Sequence, residues 1–544
     1  MTILPIKGLG NVGLITDQPT WELPPNGFTA ARNIRFSNNT ISRGPAFRTA
    51  FTLPTDHYPI YATSYYAPDG HDRIILAGKR GRLSAFLNNA VSDVSNAEHT
   101  DDTPNNRPYS SCYLSGILYV TRKGAVPKKL IPSASTFALL DHWPDTWTCR
   151  AFRSFRGLLL AINTTEGATA YDKRFRWSEF AEGVNEPSTW DASLTTANAG
   201  FNDLLELEWP LVDGCQLRDY FVLYTQSEAV LLEMVEDSRV FNVRPLFQNC
   251  GVLSLNCVVE VDGKHVVFGP KDIIVHDGNT QAYPAKGRVH DYIYSGINLS
   301  KADVAFVVHN RTSHEVWFCY NSMRQNKLQW PGKDLANEAA VWNYKDDTWT
   351  NYDLPNVGRP AFGNLTQLQT WDSIDYSWDS LPATWDSQED DLNRSLIFPS
   401  MPLDPYFTQA KMLVIDNYYW NARHSFPVED AYAAPAFGER LGIDLDEYAA
   451  EVRGYKFVRA VYPQALKGGD GAILCGFSAA LTMQSNYQRQ GPVEWPPETS
   501  YKVDVKLGGR LIGYDFTCTG KADFNFSSVE FDVVTLGRGG KSGG

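Results

Sequence analysis

The chain holds 544 residues, 43% of them apolar, 20% charged and 13% aromatic, and its 49 basic and 62 acidic residues leave a net charge of −13. That is enough apolar matter for large cores, and too aromatic and too weakly charged for a disordered chain. An acidic chain gains nothing from counterion release, which excludes a whole-chain nucleic-acid clamp.

The N-terminus carries Gly8-Leu9-Gly10-Asn11-Val12-Gly13. A dinucleotide fold needs a helix after such a run, with its amides on the pyrophosphate, and Pro19 blocks one. Met1 to Ile15 is broken by Pro5, Lys7 and three glycines, so no secretion leader is expected. Runs such as Leu158 to Ile162 fall far short of the roughly 18 apolar residues a membrane helix needs. The eight cysteines form no CxxC pair and are expected as buried free thiols.

Beyond residue 55, strand signals dominate. Short apolar runs pair across turn residues at Ser115-Gly116, Arg156-Gly157 and Asp262-Gly263. Turn centres at Gly70, Gly116, Gly157, Asp219, Gly263 and Thr312 are spaced by 46, 41, 62, 44 and 49 residues. Four of those steps match the repeat of a propeller blade, and the long one is read as holding an insertion at 165–210. Ile74 to Ala77, Phe221 to Tyr224, Val266 to Phe268 and Ile273 to Val275 are apolar without alternation. That pattern implies burial on both faces, as in a blade packed between two neighbours. Ala340 to Tyr344 and Thr348 to Thr350 read as the outer pair of a blade.

A short repeat follows, with Trp371, Trp378 and Trp385 each before Asp-Ser. Pro382 and the Asp/Ser content argue against helix, and the tryptophans suit either a protein contact surface or a loop wrapped on its own domain. Leu445 to Val452 is the one helix candidate. Tyr501 to Leu507, Gly508-Gly509 and Ile512 to Cys518 read as a hairpin, continued by Phe524 to Val533 in an antiparallel meander with one buried face. Gly539-Gly540-Lys541-Ser542 imitates the end of a phosphate loop but has no helix after it, and reads as a flexible tail.

The expected architecture is therefore all-β: a propeller of about six or seven blades with a separate C-terminal antiparallel β domain. Residues 1–55 are assigned as an arm and first strands, 56–365 as the propeller, 366–433 as the Trp-Asp-Ser repeat and loop region, and 434–544 as the C-terminal domain.

Catalytic chemistry finds no foothold. The ten histidines show no metal spacing; His309 and His314 merely flank a turn. No GxSxG elbow or HExxH motif occurs. Glu206 and Glu208 sit two apart and read as a solvated face. Ser178 to Trp190 lacks the core of a sialidase Asp-box. No catalytic, cofactor-binding or metal-ligating residue is assigned, and the chain is not expected to be an enzyme.

Ordered motifs point elsewhere. Glu22-Leu23-Pro24-Pro25-Asn26-Gly27, Ala31-Arg32-Asn33-Ile34-Arg35 and Ile41-Ser42-Arg43-Gly44-Pro45 open the chain. Arg174-Phe175-Arg176-Trp177-Ser178 with Trp190, Ala340 to Tyr344 with Trp349, the Trp-Asp-Ser repeat, and Gly438-Glu439-Arg440-Leu441-Gly442 follow in order. Together they resemble the tail nozzle, or packaged-DNA stabilisation, proteins of short-tailed (podovirus-like) bacteriophages. The resemblance implies a homo-hexameric ring below the portal and its adaptor (head-to-tail connector) protein, with a propeller in each subunit. It implies a channel that retains packaged dsDNA without sequence-specific binding and opens for ejection. It also implies tail fibre or spike proteins attached outside, and a virion tail assembled in the host cytoplasm. An acidic wall suits such a channel, because lysine and arginine contacts to phosphate would hold the DNA. The 165–210 stretch and the Trp371, Trp378 and Trp385 loop are the expected subunit contacts or gate. The alternatives are a propeller-type glycan hydrolase or depolymerase, and a receptor-binding tail protein.

Overall fold

The computed structural model describes residues 2–66, 73–87, 90–96, 107–235, 240–324, 328, 330, 334–363, 395–403, 406–416, 431–432, 434–448, 455–468, 471–519 and 523–535. Hairpins begin with local turn chemistry. Ser115-Gly116, Arg156-Gly157 and Asp262-Gly263 all take positive φ at both positions. This is the two-residue turn whose twist matches that of paired strands, and glycine at the second position removes the steric cost.

Those hairpins grow into five four-stranded antiparallel blades, and a nine-stranded sheet, joined across its middle only at Val357 and Ser400, supplies blades six and seven. Blades one to five are contiguous in sequence, at 59–93, 109–139, 148–203, 213–247 and 258–282. Blade six comprises Phe306–Asn310, Glu315–Tyr320, Ala336–Asn343 and Thr348–Val357. From blade two to blade six the first strands of successive blades pack on one another, and Tyr61 of blade one meets Ser111 of blade two at 2.7 Å. Blade seven is Ala361–Gly363, Ser395–Ser400 and Lys411–Asp416, extended by Ala46–Thr52, brought from near the N-terminus, with the short Ala431–Tyr432 outside it. Its first strands pack on Pro59–Tyr65, and Ser64 Oγ donates to the Phe362 carbonyl at 2.7 Å, so the ring closes.

One expectation changes at blade three. The stretch read as an insertion at 165–210 contains a blade strand, Thr169–Trp177, paired with Leu158–Glu166 on one side and Gly200–Asp203 on the other. Only 178–199 is an excursion. The strand was hidden by its charges, because Arg174 and Arg176 are buried and satisfied by Glu166 and Asp203. Glu206 and Glu208 lie just after the blade's last strand and are exposed.

The antiparallel domain at the C-terminal end is a two-sheet sandwich, and the N-terminus completes it. One sheet orders Val503–Gly509, Lys456–Gly468, Asp523–Thr535, Thr40–Arg43 and Ile34–Ser37, with Thr2–Lys7 also on Asp523–Thr535. The other orders Gln488–Glu494, Ile473–Ala480, Leu511–Cys518, Ala436–Asp444 and Ala30–Arg32. Residues 1–55 are thus no arm, and the boundary drawn at 434 does not isolate a unit. The expected hairpin at Gly508-Gly509 is instead a crossing: the strand before it belongs to the first sheet and the strand after it to the second. Alternation reports one buried face and is silent about which strand lies alongside. Gly509 permits the crossing, since a Cβ there would lie 2.6 Å from the Ala480 carbonyl oxygen.

The Gly8 to Gly13 run serves packing. A Cβ on Gly10 would fall 2.2 Å from the Thr40 carbonyl oxygen, and Gly13, at φ +79, lies against the backbone of Trp349. Of the helix expected at 445–452, Leu445–Tyr448 is helical and the rest lies outside the described residues; a second helix, His290–Gly296, was not expected. No described helix is long and apolar enough to cross a membrane. All eight cysteines are free thiols; six are buried, and Cys112 and Cys215 are half-buried.

Candidate functional site

Trp371, Trp378 and Trp385 lie outside the described residues. Three other places carry concentrated polar chemistry: the joint between sandwich and propeller, the propeller axis, and a cleft over blades four and five.

The joint is built by Ala30–Arg32 and Ile34–Ser37 lying over the outermost strand of blade six. Asn33, at φ 56, breaks the strand between them and faces blade six, donating from Nδ2 to Asp353 Oδ2 at 3.1 Å and accepting the Asp353 amide at 2.8 Å. Arg32 pairs with Asp353, reaches Glu338 at 3.3 Å and donates to Tyr292 Oη at 2.8 Å. Arg35 pairs with Glu315 at 2.6 Å, and that carboxylate also accepts from Trp317 Nε1 at 2.9 Å and Tyr352 Oη at 3.3 Å. Burial works against both guanidinium charges, but the carboxylates outweigh it and hold them charged. Arg440, 1% exposed, donates to the carbonyls of Thr20 and Leu23 at 2.8 Å each and of Pro24 at 3.3 Å. One apolar core runs through both lobes, from Leu4 and Phe28 through Val266, Phe318 and Trp349 to Tyr514 and Phe531.

The axis is filled. Arg153 Nε donates to Asp213 Oδ1 at 3.0 Å, Nη1 to the Ser111 carbonyl at 3.3 Å, and Nη2 to Asn256 Oδ1 at 3.2 Å. Asn256 Nδ2 donates to the Tyr109 carbonyl at 2.9 Å, and Arg359 to Tyr61 Oη at 2.9 Å. The cavity beside them measures about 20 Å³, room for roughly one water.

The cleft, about 720 Å³, is walled by turns of blades four and five, the start of the helix His290–Gly296, and Asp17 from the N-terminal segment. The donor atoms of Asp17, His290 and Asp291 lie within 4.8 Å of one another. All three already have work. Asp17 accepts the Asp291 amide at 3.1 Å and the Thr16 hydroxyl at 2.9 Å, which anchors the start of the helix. His290 Nε2 lies 2.8 Å from the Lys271 carbonyl and Nδ1 2.9 Å from Asp291 Oδ1. Burial lowers its pKa, but the Asp291 bond, the Lys271 carbonyl and Asp272 raise it more, so the net shift is upward. A metal ion needs a neutral histidine with a free lone pair, which this arrangement opposes.

Three further titratable side chains join blades four and five. Tyr224 Oη contacts His265 Nδ1 at 2.6 Å and His276 Nε2 at 2.7 Å, and His265 Nε2 lies 2.8 Å from the Gln216 carbonyl. The carbonyl requires a proton on His265 Nε2, so Tyr224 donates to Nδ1 and accepts from His276. Burial pushes His265 down to about 4 and, with His265 beside it, His276 down to about 3. His309 and His314, the pair flanking a turn, both meet Tyr344 Oη at 3.2 Å. Sequence reasoning missed the joint, the axis cluster and this trio, because each assembles residues far apart in the chain.

No family model matches the chain, and no curated protein matches it. Among solved structures it is similar to one titled "YCF48 bound to D1 peptide", at 10% identity and a TM-score of 0.36, over 74% of this chain and 97% of that one. A likeness that thin carries no argument, and the propeller stands on the strand pairing itself.

Proposed function

We propose that the chain is a structural virion protein, the subunit of a tail nozzle ring that continues the portal–adaptor channel of a short-tailed bacteriophage. In this reading six copies form the ring, retain packaged dsDNA and open for ejection, with fibres or spikes attached outside. The observation that carries it is where the ordered motifs meet. Arg32, Asn33, Arg35 and Gly44 from the first motifs, Trp342 and Trp349 from blade six, and Arg440 near the last strands are far apart in sequence. Arg32, Asn33, Arg35 and Gly44 meet blade six at the contact between sandwich and propeller, Trp349 lies there against Gly13 with Trp342 stacked on it, and Arg440 ties the sandwich to the N-terminal segment at Leu23. Gly44 belongs to that contact because a Cβ there would lie 2.9 Å from both Asn33 and the Tyr352 ring. Motifs that share one mechanical task suit a rigid tile better than a catalyst. With the propeller axis plugged by Arg153, DNA runs through the centre of the ring, between subunits.

The test is electron microscopy and light scattering of the purified chain, alone and with its adaptor ring. A closed ring stacked coaxially on the adaptor is expected. A chain that stays monomeric with the adaptor present overturns the reading. The cleft favours one second reading, a receptor-binding tail protein, since 720 Å³ lies within the usual range of ligand pockets. Saturable binding of a host glycan, lost on filling the cleft with Ser227→Trp, would support it. Release of reducing sugar would instead favour a depolymerase.

A further inference from the structure

We propose that the outer edge of blade three in one copy docks on the turn face of blades one and two in the next. The inference rests on the ring reading above and supplies its subunit contact. Blade three exposes Phe180, Val184, Leu194, Phe201, Leu205 and Trp209, with Leu205 78% and Val184 61% exposed. Phe180 lies by the Arg156-Gly157 turn, whereas Phe201 on the outermost strand and Leu205 and Trp209 just after it are the apolar groups of the outer side, and exposed apolar groups next to one another mark a contact surface.

The edge is held in shape. Trp190, 2% exposed, stacks on Phe152 at 5.7 Å and meets Trp143 edge-on at 4.7 Å, while Arg176 donates to its carbonyl at 2.9 Å. Arg174 clamps Asp203 of the outermost strand with two bonds of 2.7 Å. A surface fixed beforehand loses little entropy on docking.

Its charge names the partner. Between Ser178 and Pro210 there are seven acidic residues and no lysine or arginine. Glu179, Glu186 and Asp203 have partners within the chain, and Glu182, Glu206 and Glu208 are exposed around the apolar groups. The opposite sign gathers one blade away. Between Arg73 and Lys129 lie nine basic residues against four acidic ones, in a chain whose net charge is −13; Arg122, Lys128 and Lys129 are buried, Lys129 on Asp141 and Glu186, and Arg82 pairs with Asp93. Lys79, Arg80 and Arg82 form one turn of blade one; Lys123 opens the matching turn of blade two. Arg122 donates to the Lys79 carbonyl and Arg107 to the Lys123 carbonyl, at 3.3 Å each, so the two turns are contiguous. Burial, then Arg150 and Arg107, disfavours the charge on Lys123 despite Asp303 and Asp172. Crowded like charges are relieved by an acidic partner. Two different patches on one chain make a head-to-tail contact, which closes into a ring when its rotation allows.

Charge reversal tests it. With the adaptor present, E206K/E208K and R80E/K123E are each expected to cut ring yield about tenfold or more, with circular dichroism and melting unchanged. The chain carrying all four changes, or an equimolar mixture of the two variants, restores rings because complementary patches meet again. Rings undiminished in both variants overturn this contact and leave the ring reading standing. A wild-type chain that never assembles overturns both. Rings that persist in R80E/K123E while duplex-DNA affinity falls identify the cations as phosphate contacts and overturn the docking.

Discussion

Blades three and six end in outermost strands with opposite fates. All ten residues of Thr348–Val357 in blade six are buried. Thr350 Oγ1 donates to the Ile34 carbonyl at 2.8 Å, and the N-terminal strands cover it. In blade three, Gly200–Asp203 leaves Phe201 43% exposed. The blade does not decide whether its outer strand is buried; whatever the chain lays over it does. Trp143 and Trp147 pack on the excursion and on Arg176 of blade three, but no described strand pairs with the outer side of Gly200–Asp203.

The largest expected effect breaks the covered edge. Arg35→Met leaves the Glu315 carboxylate buried without its cation, which should cost about 3–5 kcal/mol, read from urea denaturation. A loss below about 1 kcal/mol would show that apolar packing alone holds the joint. On the bare edge, Trp190→Ala removes a fully packed ring and should cost about 3 kcal/mol. Hydrogen exchange is expected to rise over 178–199 while the other blades stay protected. Exchange rising throughout the propeller would mean that the excursion supports the fold rather than only the edge.

Acid should weaken a place that belongs to neither edge. His265 and His276 stay neutral when folded and bind protons more readily when unfolded, so their contribution is complete above the unfolded value near 6.5 and fades as pH falls toward about 4 and about 3. His265 alone accounts for about 3 kcal/mol across that window. Stability measured from pH 7 to 4 should therefore fall less steeply in His265→Gln; equal slopes would remove the histidine from the account. The smallest effect sharpens the comparison most. E206K/E208K should leave monomer stability within about 0.5 kcal/mol, because those carboxylates serve contact rather than folding. A larger loss by thermal melting would make the acidic rim part of blade three itself.

Legibility followed sequence distance. The hairpin at Ser115-Gly116 could be read because two adjacent residues set the turn and the runs beside it pair with each other. The strand Thr169–Trp177 was obscured because Arg174 and Arg176 look solvated until Glu166 and Asp203 are beside them. Arg32 and Arg35 were legible as a motif but not as ion pairs, since Asp353 and Glu315 lie some three hundred residues away. The sandwich's alternation was plain in Val503 to Leu507 and Ile512 to Cys518, yet it matched a meander as well as a crossing.

By itself, the amino-acid sequence determined the all-β class, the two-residue turns and the runs buried on both faces, because φ preferences and side-chain polarity act within a few residues. Only the tertiary structure decided that Ala46–Thr52 closes the seventh blade, that both chain ends share one sandwich, and that Arg153 fills the axis. Those outcomes depend on which distant surfaces meet, and one local pattern is compatible with many such meetings.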